Sequence, residues 1–400
     1  MITLLEAQQL LKDSAQCDLR TETIGLANAV GRVASADVYA GLNIPPSDNS
    51  AMDGFAVRAS DIKEVGAKLN VSQRIPAGSD PKPLERGTAA RIFTGGVLPS
   101  DADAVVIQEN TDFDDQSVTI NKLAKSGDNV RPCGQDIAEG SMVVSIGRRL
   151  SPIDVGLLAS IGKATVEVFL PLRVAIFSTG DELVTPGKEL KPGQIYNSNR
   201  PVLIALCEQL GFTAIDCGIV EDTLGATKAA LAAAANKADV IISSGGVSVG
   251  DEDHIKPAVE ALGTLELWKV QMKPGKPVAF GNVEGTPFLG LPGNPVSSYV
   301  VFQLLGAPLM QALQGQNTKS PRSYSVISGF TKKLSTREDY IRVRVSRNST
   351  GNLVAQSFAN SSSGVMSSLA WADGLVRQNI DTAIEMGQDI EFLPLREGIL

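Results

Sequence analysis

The chain has 400 residues, of which 43% are hydrophobic and 20% are charged, so we expect a globular protein of two to four domains. Its formal net charge of −8 argues against nucleic acid as a general partner, because such partners select a basic surface. The four cysteines contain no CxxC pair, which indicates neither a zinc cluster nor a disulfide framework.

The N-terminal segment MITLLEAQQLLKDSAQ has the apolar spacing of an amphipathic helix. It lacks the basic start and the unbroken apolar core of a signal peptide. The longest apolar stretch, residues 300–313, is shorter than a membrane-spanning helix requires. We therefore expect a cytoplasmic protein that has no membrane partner.

The predicted secondary structure of residues 1–170 changes twice along the chain. From residue 41 to about residue 137, short β-rich runs alternate with Pro, Gly and Asp turns, which predicts a compact β-dominated region. The segment SPIDVGLLASIG predicts a helix with Ser151 as N-cap and Gly162 as its stop. We expect this helix to pack with the first helix and to form a discontinuous domain into which the β region is inserted.

Residues 171–316 alternate strands and helices in the α/β manner. The apolar runs LRVAIFS, FTAIDCGIV, DVIISS and TPFLG predict buried strands. Asn197 or Ser198 is expected to cap the helix before the second of these strands, and Asp222 to start the helix after it. Residues 321–400 alternate with period two and predict a small β domain.

Three loops that follow predicted strands carry polar and acidic side chains. They are TGDELV at 179–184, GGVSVGDED at 245–253 and LPGNP at 291–295. Ligands of open α/β sheets bind beyond the carboxyl ends of the strands. We therefore expect all three loops to meet at one sheet edge.

The glycine- and serine-rich run SSGGVSVG, residues 243–250, has two open interpretations. Its backbone N–H groups can converge on a phosphate or pyrophosphate. Alternatively, it is a tight strand-to-helix turn. The spacing does not decide, because it matches neither GxxxxGK[ST] nor GxGxxG. The candidate phosphate contacts are Ser244, Gly245, Gly246, Ser248 and Gly250.

Acidic side chains follow several of the predicted strands, namely Asp181, Glu182, Asp222 and the acids at 251–253. Oxygen ligands beside a phosphate are what Mg²⁺ prefers. Each acid alone is better explained as a helix cap or a solvated turn residue, so only their convergence at one edge supports a metal site. The single histidine, His254, cannot build a multi-histidine zinc site, and we interpret it as part of a helix N-terminus.

Basic side chains are concentrated in WKVQMKPGKP, which supplies Lys269, Lys273 and Lys276. Lysine is a compact charge suited to small oxyanions and phosphates. The alternative is an exposed hairpin, but the two prolines that flank GK favour a shaped functional loop. Arg342 and Arg344 alternate on one strand, where they either grip an anion or form the solvated face of a sheet.

Two segments of the β-rich region are dense in turn formers. PPSDNSAMDGFAV contains Asp48, Asn49, Ser50 and Asp53, for which a loop with Asx turns is the favoured interpretation on chemistry alone. In RIFTGG, the hydroxyl of Thr94 either contacts a ligand or caps a turn.

Six segments that occur in order along the chain resemble the molybdopterin molybdenumtransferase family, the MoeA type to which the E domain of gephyrin belongs. They are PPSDNSAMDGFAV, RIFTGGVLPSDADAVV, STGDEL, SSGGVSVGDEDH, KPGKPVAFG and GLPGNPVSSYV. The resemblance covers nearly all 400 residues. The segment SSGVMSSLAWADGLV resembles the last domain of the family more loosely.

The resemblance implies a multidomain α/β plus β fold. The expected parts are an elongated discontinuous domain at 1–44 and 138–170, a β-rich domain at 45–137, a central three-layer α/β molybdopterin-binding domain at 171–316 and a small C-terminal β-barrel at 317–400. The resemblance also implies a homodimer, whose site lies between the α/β domain of one chain and the β-rich domain of the other.

The activity that the resemblance implies is the insertion of molybdenum, supplied as molybdate, into adenylylated molybdopterin. The pyrophosphate link is hydrolysed with Mg²⁺, and AMP and molybdenum cofactor are released. A separate molybdopterin adenylyltransferase is expected to supply the substrate. Two other hypotheses are a nucleotide pyrophosphatase or deamidase, which leaves PPSDNSAMDGFAV without a role, and a non-catalytic scaffold, which has no need of the acids and lysines.

The resemblance also assigns site residues one by one. The catalytic positions are Asp53, Thr94, Asp136, Glu182, Asp222, Lys269 and Lys273. The metal ligands are Glu182, Asp222 and Asp253, with Asp251 and Glu252 as alternatives for the third. Pro292 and Pro295 shape the turn, and Arg344 and one of Ser367 or Ser368 are further substrate contacts, beside the Lys276 of the basic segment.

Overall fold

The computed structural model describes residues 1–247, 254–317 and 322–395, without the side chains of residues 267 and 268. The predictions made for Ser248, Gly250, Asp251, Glu252 and Asp253 therefore lie outside the described residues.

The first 170 residues form two helices and twelve strands. In chain order they are α1 (Leu4–Ser14), β1 (Thr21–Gly25), β2 (Val38–Tyr39), β3 (Asn49–Ser50), β4 (Gly54–Val57), β5 (Ala67–Ile75), β6 (Thr88–Ile92), β7 (Ala104–Ile107), β8 (Thr111–Phe113), β9 (Ser117–Ile120), β10 (Val130–Arg131), β11 (Met142–Val144), α2 (Pro152–Ser160) and β12 (Thr165–Phe169). The predicted β-rich region is a six-stranded sheet of order β7-β4-β6-β5-β9-β8.

The chain enters and leaves this sheet through paired segments, because β1 pairs with β12 and β2 pairs with β11. Ser151 caps α2 as predicted: its Oγ accepts from the Asp154 N–H at 3.3 Å, and the Asp154 carboxylate accepts from the Ser151 N–H at 2.8 Å. The expectation that α1 packs with α2 is wrong. Leu4, Ala7 and Leu11 of α1 are buried in the core of the α/β region instead.

Residues 171–317 contain most of the remaining helices. Their elements are β13 (Arg173–Thr179), β14 (Leu183–Val184), β15 (Ile195–Tyr196), α3 (Asn199–Gln209), β16 (Thr213–Val220), α4 (Leu224–Ala235), β17 (Val240–Ser244), α5 (Ile255–Leu262), β18 (Gly263–Lys269), β19 (Met272–Lys273), β20 (Pro277–Val283), β21 (Thr286–Leu291), α6 (Pro295–Val301), a π-helical turn (Phe302–Gly306) and α7 (Ala307–Leu313). The sheet order is β16-β13-β17-β21-β20-β18, and its first four strands run parallel.

Alternate residues of the central strands face two different cores, because side chains along a strand alternate between its faces. In β13, Val174 and Ile176 pack with α3, α6 and α7. Ala175 and Phe177 of the same strand pack with α4 and α5 on the other face. The predicted three-layer α/β arrangement is confirmed.

The helical segment Pro295–Leu313 is 19 residues long with a mean hydropathy of 1.3. The apolar stretch 300–313 is part of this longer helix, which by length and composition alone could cross a membrane. Its apolar stretch is 72% buried, and Val300, Phe302 and Leu309 pack into the core beneath the sheet. Burial in the core accounts for its composition.

The C-terminal region is a closed five-stranded barrel. Its elements are β22 (Tyr324–Ser328), β23 (Glu338–Arg347), β24 (Leu353–Ser357), α8 (Ser367–Trp371), β25 (Gly374–Gln378) and β26 (Asp389–Pro394). The ring runs β23-β24-β22-β26-β25 and closes through the β23–β25 pair. The barrel confirms the predicted C-terminal fold, whereas the domain boundaries stay predictions.

The four cysteines are free thiols, as far as the structure describes them. Cys17 and Cys133 are exposed, and Cys217 is half-buried. Burial in the core raises the pKa of the Cys207 thiol to about 12, so this thiol is protonated and unreactive at neutral pH.

Candidate functional site

A cavity of about 730 Å³ opens at the carboxyl edge of the central sheet, and we call it the carboxylate cavity. The parallel strands β13, β17 and β21 all end at this edge, where Ser178 pairs with Ser244 and Ser244 with Leu291. The prediction that the three polar loops meet at one edge is confirmed for their described residues. The predicted site residues that line this cavity are Glu182, Asp222, Ser244, Gly245, Gly246, Pro292 and Pro295.

The glycine turn after β17 is shaped by a close backbone approach. Gly245 has a φ of +98°, and a Cβ at this position would come within 2.6 Å of the Thr179 carbonyl oxygen. Only glycine therefore fits here, where the end of β17 lies close beside the end of β13. The Gly245 N–H donates to the Leu291 carbonyl at 3.0 Å, so this amide serves the turn. The described part of the loop is a tight turn that also lines the cavity.

Two buried polar groups on the wall of the carboxylate cavity have no hydrogen-bond partner in the described part of the chain. They are Thr179 Oγ1 and Asn197 Nδ2. Leaving such groups unpaired costs about 1–3 kcal/mol each, and a polar ligand removes that cost. From its sequence context, Asn197 is expected only as a possible helix cap, with Ser198 as the alternative. Its Oδ1 does accept from the Arg200 N–H at 3.2 Å, whereas its Nδ2 is buried without a partner in the described part of the chain.

The acidic residues of this cavity lie on the loops that follow β13 and β16. Glu182 is exposed and folds over Gly180, where its Oε2 would lie 2.6 Å from an added Cβ. Asp222 does not start α4, contrary to the prediction. Thr223 is the N-cap, and its Oγ1 accepts from the Ala226 N–H at 3.2 Å.

The donor set fits a magnesium ion that also binds substrate. Glu182 and Asp222 line the same cavity, whereas Asp253 lies outside the described residues. Among the residues that the structure does describe, no three acidic, histidine or cysteine side chains cluster tightly enough to hold a metal alone. One or two carboxylates completed by phosphate oxygens and water are the usual Mg²⁺ ligands.

A second cavity, of about 540 Å³, lies between the α/β region and the barrel, and we call it the lysine cavity. It shares Pro277 and Asn294 with the carboxylate cavity, so the two are neighbours. Among the described residues, five basic ones and one acidic one line it, namely Lys273, Lys276, Lys332, Arg337, Arg342 and Asp339. This excess of positive charge favours the binding of an anion.

Strand pairing decides which lysines reach this cavity. β19 pairs in parallel with β23 of the barrel, which places Lys273 opposite Asp339. The KPGK segment is therefore not an exposed hairpin. Lys269 lies earlier in the chain, at the end of β18, where it pairs with Pro277. It is not among the described residues that line either cavity.

The arginine and serine assignments shift by a few residues. Arg342 lines the lysine cavity and is 6% exposed, and burial lowers the pKa of its guanidinium. It donates to the Ser362 and Asn360 carbonyls at 3.1 and 3.2 Å. Arg344 instead lies on the Trp371 ring at 4.9 Å and donates to the Trp371 carbonyl. The prediction that Arg344 reaches the site does not agree with this placement.

The predicted serines also lie elsewhere. Ser368 is buried and its hydroxyl donates to the Val365 carbonyl, while Ser367 lines a small neighbouring cavity of about 290 Å³. Ser361, Ser362 and Ser363 line the lysine cavity. Sequence reasoning missed these three, although NSSSG at 360–364 has the turn composition of a binding loop.

Asp53 and Thr94 contact each other in the β-rich region. Asp53 Oδ1 accepts from the Thr94 N–H at 2.8 Å and from its Oγ1 at 2.9 Å. These hydrogen bonds hold the pKa of the Asp53 carboxyl below its usual value. Asp136 is exposed in the same region. None of the three lines the cavities described above, so one chain does not bring them to the lysines.

The Asx turns expected around Asp53 are not what Asp48 and Asp53 form, because their carboxylates accept from the distant residues Cys133 and Thr94. Asp48 Oδ1 accepts from the Cys133 N–H at 2.7 Å, and Ser50 is buried with its hydroxyl on the Met52 carbonyl. His254 precedes α5 at its N-cap position and makes no side-chain capping hydrogen bond.

Three family models match the chain. They are the MoeA N-terminal region (domain I and II) at residues 2–162, a probable molybdopterin binding domain at 175–312 and the MoeA C-terminal region (domain IV) at 329–395. Together they cover most of the described fold.

Known relatives extend over nearly the whole chain. A molybdopterin molybdenumtransferase of Haemophilus influenzae is 40% identical over 361 residues, which are 89% of each chain. The Bacillus subtilis protein of that name is 33% identical over 94% of this chain and 90% of its own length. A molybdopterin biosynthesis MoeA structure from Pyrococcus horikoshii covers 99% of both chains at 31% identity, with a TM-score of 0.82. By fold and by sequence, the chain belongs to the molybdopterin molybdenumtransferase family, the MoeA-type enzymes of molybdenum cofactor biosynthesis.

Proposed function

We propose that this enzyme inserts molybdenum from molybdate into adenylylated molybdopterin, hydrolyses the pyrophosphate link with the help of Mg²⁺, and releases AMP and molybdenum cofactor. The observation that carries the proposal is the pair of neighbouring cavities that share Pro277 and Asn294. One contains carboxylates and the other contains lysines and arginines. A substrate that spans both would place its phosphates near the acids and its metal-accepting end near the cations.

The lysine cavity suits the molybdate substrate. A small tetrahedral oxyanion requires several positive charges at short range, and Lys273, Lys276 and Arg342 supply them. Ser361, Ser362 and Ser363 line the cavity on the barrel side. We propose that Lys273 and Lys276 hold the oxyanion and that Arg342, rather than Arg344, is the arginine of this site, because all three line the cavity.

The carboxylate cavity suits the pyrophosphate link. Cleavage of a phosphoanhydride requires positioning and charge neutralisation more than covalent catalysis. Mg²⁺ held by Glu182 and Asp222, with Asp253 as the proposed third ligand, would stabilise phosphoryl charge. Asn197 Nδ2 and Thr179 Oγ1 would orient the substrate from the wall. The glycine turn permits close approach, and Pro292 and Pro295 shape the loop beside it.

AMP release from adenylylated molybdopterin tests the proposal directly. Release that requires both molybdate and Mg²⁺ is the expected result. Molybdate-independent hydrolysis of common nucleotides would instead support a nucleotide pyrophosphatase or deamidase. The absence of any turnover, with substrate binding retained, would support a scaffold.

Replacing Lys273 with alanine is expected to raise the molybdate concentration for half-maximal AMP release by about tenfold or more, since one cation of the oxyanion site is lost. The thermal midpoint is expected to change little, because Lys332 Nζ, 3.7 Å from Asp339 Oδ2, still compensates this buried carboxylate. Exposed Lys163, which lines neither cavity, provides the matched alanine control. A change in thermal midpoint alone would assign Lys273 a structural role.

We also propose that the protein is a homodimer with shared sites, in which Asp53, Thr94 and Asp136 of one chain complete the cavities of the other. The support is that these residues line neither cavity of their own chain, as far as it is described. We expect Asp53→Asn and Asp222→Asn chains each to be nearly inactive alone. A random mixture is expected to recover about a quarter of wild-type activity, because half of the dimers then hold one intact site of two.

The control for this mixing experiment is a pair of variants in the same domain, Glu182→Gln and Asp222→Asn. Their mixed dimers contain no intact site, so no recovery is expected. Failure of the first mixture to recover, with mixed dimers demonstrated by mass, would show that the site lies within one chain.

The remaining parts of the proposal concern the partners of the enzyme and its location in the cell. We propose that a separate molybdopterin adenylyltransferase supplies the substrate and that the enzyme is cytoplasmic. The net charge of −8 supports the absence of a general nucleic-acid partner.

A further inference from the structure

The lysine cavity contains one acidic side chain among its cations. Asp339 lies on β23 at the mouth of the barrel, is 4% exposed and lines the cavity. Its Oδ2 lies 3.3 Å from Lys273 Nζ and 3.7 Å from Lys332 Nζ. A carboxylate at this position opposes the binding of any anion, so its presence in an anion site requires a reason.

The contacts of Asp339 are loose. Its Oδ2 has no partner with hydrogen-bond geometry in the described part of the chain, so the two lysines hold it by charge alone. By contrast, Arg173 and Asp239 form a paired contact at 2.7 and 3.1 Å on the surface. Lysine ammonium groups held so weakly can turn to another anion, because little hydrogen-bond energy is lost.

The neighbouring acid on the same strand is held differently. Glu338 is also buried, but its Oε1 accepts from the Tyr340 hydroxyl and from Arg377 Nε, the latter at 2.7 Å. Glu338 does not line the lysine cavity among the described residues. An acidic side chain that is buried on β23 therefore does not necessarily line the lysine cavity. Glu338 and Asp339 are neighbours along the strand, so their side chains point to opposite faces of it.

We propose that Asp339 is an internal competitor for the oxyanion and sets its affinity. It gathers Lys273 and Lys332 at the cavity when the site is empty and opposes the bound oxyanion by charge. Tighter binding of molybdate does not by itself make its transfer faster. An interaction that stabilises the ground state and the transition state equally does not raise the maximal rate. This inference rests on the proposed function of the lysine cavity.

Equilibrium dialysis with molybdate tests the inference on wild-type protein and on Asp339→Asn, with Asp339→Ser as a second variant if the first does not fold. Removing the negative charge is expected to tighten molybdate binding by about tenfold. In the AMP-release assay, half-maximal molybdate is expected to fall while the maximal rate does not rise. Glu338→Gln is the matched control and is expected to lower the thermal midpoint and leave the molybdate Kd within about twofold.

Two failures are distinguishable. Unchanged or weaker molybdate binding in both Asp339 variants, with binding still weakened by Lys273→Ala, would overturn this inference and leave the proposed function standing. An absence of Lys273-dependent molybdate binding in the wild-type protein would overturn the proposed function of the cavity and this inference with it.

Discussion

Replacing Asp222 with asparagine is expected to reduce molybdate-dependent AMP release by about 10³-fold, because a metal-held phosphoryl group loses several kcal/mol of charge stabilisation. The substitution keeps the shape of the side chain, and Thr223 rather than Asp222 caps α4. The thermal midpoint is therefore expected to stay within about 2 °C of the wild type. The measurement is AMP release at saturating molybdate across a Mg²⁺ titration.

The neighbouring acid provides the control. Glu221 is exposed and is not among the residues that line the carboxylate cavity, so Glu221→Gln is expected to retain wild-type rates. Activity of Asp222→Asn within tenfold of the wild type, at every Mg²⁺ concentration, would mean that Asp222 does not hold the metal. The carboxylate cavity would then need a different acid at its centre.

Replacing Gly275 with alanine is expected to lower the free energy of unfolding by about 2–4 kcal/mol and to weaken molybdate binding. Gly275 has a φ of +107°, and an added Cβ would lie 2.3 Å from Val301 Cγ2. The strained backbone contributes about 1 kcal/mol and the clash with the helix a further 1–3 kcal/mol. Relief of the clash displaces the KPGK segment, and with it Lys273 and Lys276. Urea denaturation and equilibrium dialysis measure the two effects.

A second glycine separates strain from clash. Gly285 has a φ of +88° and nothing within 4 Å of an added Cβ. Gly285→Ala is expected to cost only about 1 kcal/mol and to leave molybdate binding unchanged. Equal losses of stability at the two positions would show that the contact with Val301 is relieved without cost, and the loop would then be more tolerant than we expect.

The two glycine variants also test how the fold couples stability to the site. Val301 belongs to the core helix beneath the central sheet, and Lys273 belongs to the strand that joins the barrel. Gly275 lies between them, where the chain passes close to the helix. The position of the lysines therefore depends on core packing as well as on local sequence.

Local patterns were sufficient for much of the fold. The apolar runs predicted β13, β17 and β21, and the placement of loops after parallel strands predicted the sheet edge where Glu182, Asp222 and the glycine turn meet. Ser151 was identified as a cap from its own neighbours. These features depend on residues within a few positions of each other, so a single sequence contains the necessary information.

Contacts between distant segments decided the rest. Lys273 rather than Lys269 reaches the anion cavity because β19 pairs with β23, 66 positions further on at the Lys273–Asp339 pair. Arg342 rather than Arg344 lines it because the barrel closes and the Trp371 ring engages Arg344. The helix α1 joins the α/β core because α7 offers it an apolar face.

The sequence by itself determined the family, the strand and helix pattern and the loops that carry the chemistry. Only the tertiary structure decided which lysine, which arginine and which serines face the cavities, and that Asp339 lies among them. The physical reason is that neighbouring charged residues on an exposed segment are equivalent until a distant strand buries one of them. That pairing depends on packing across the whole chain rather than on the spacing of adjacent residues.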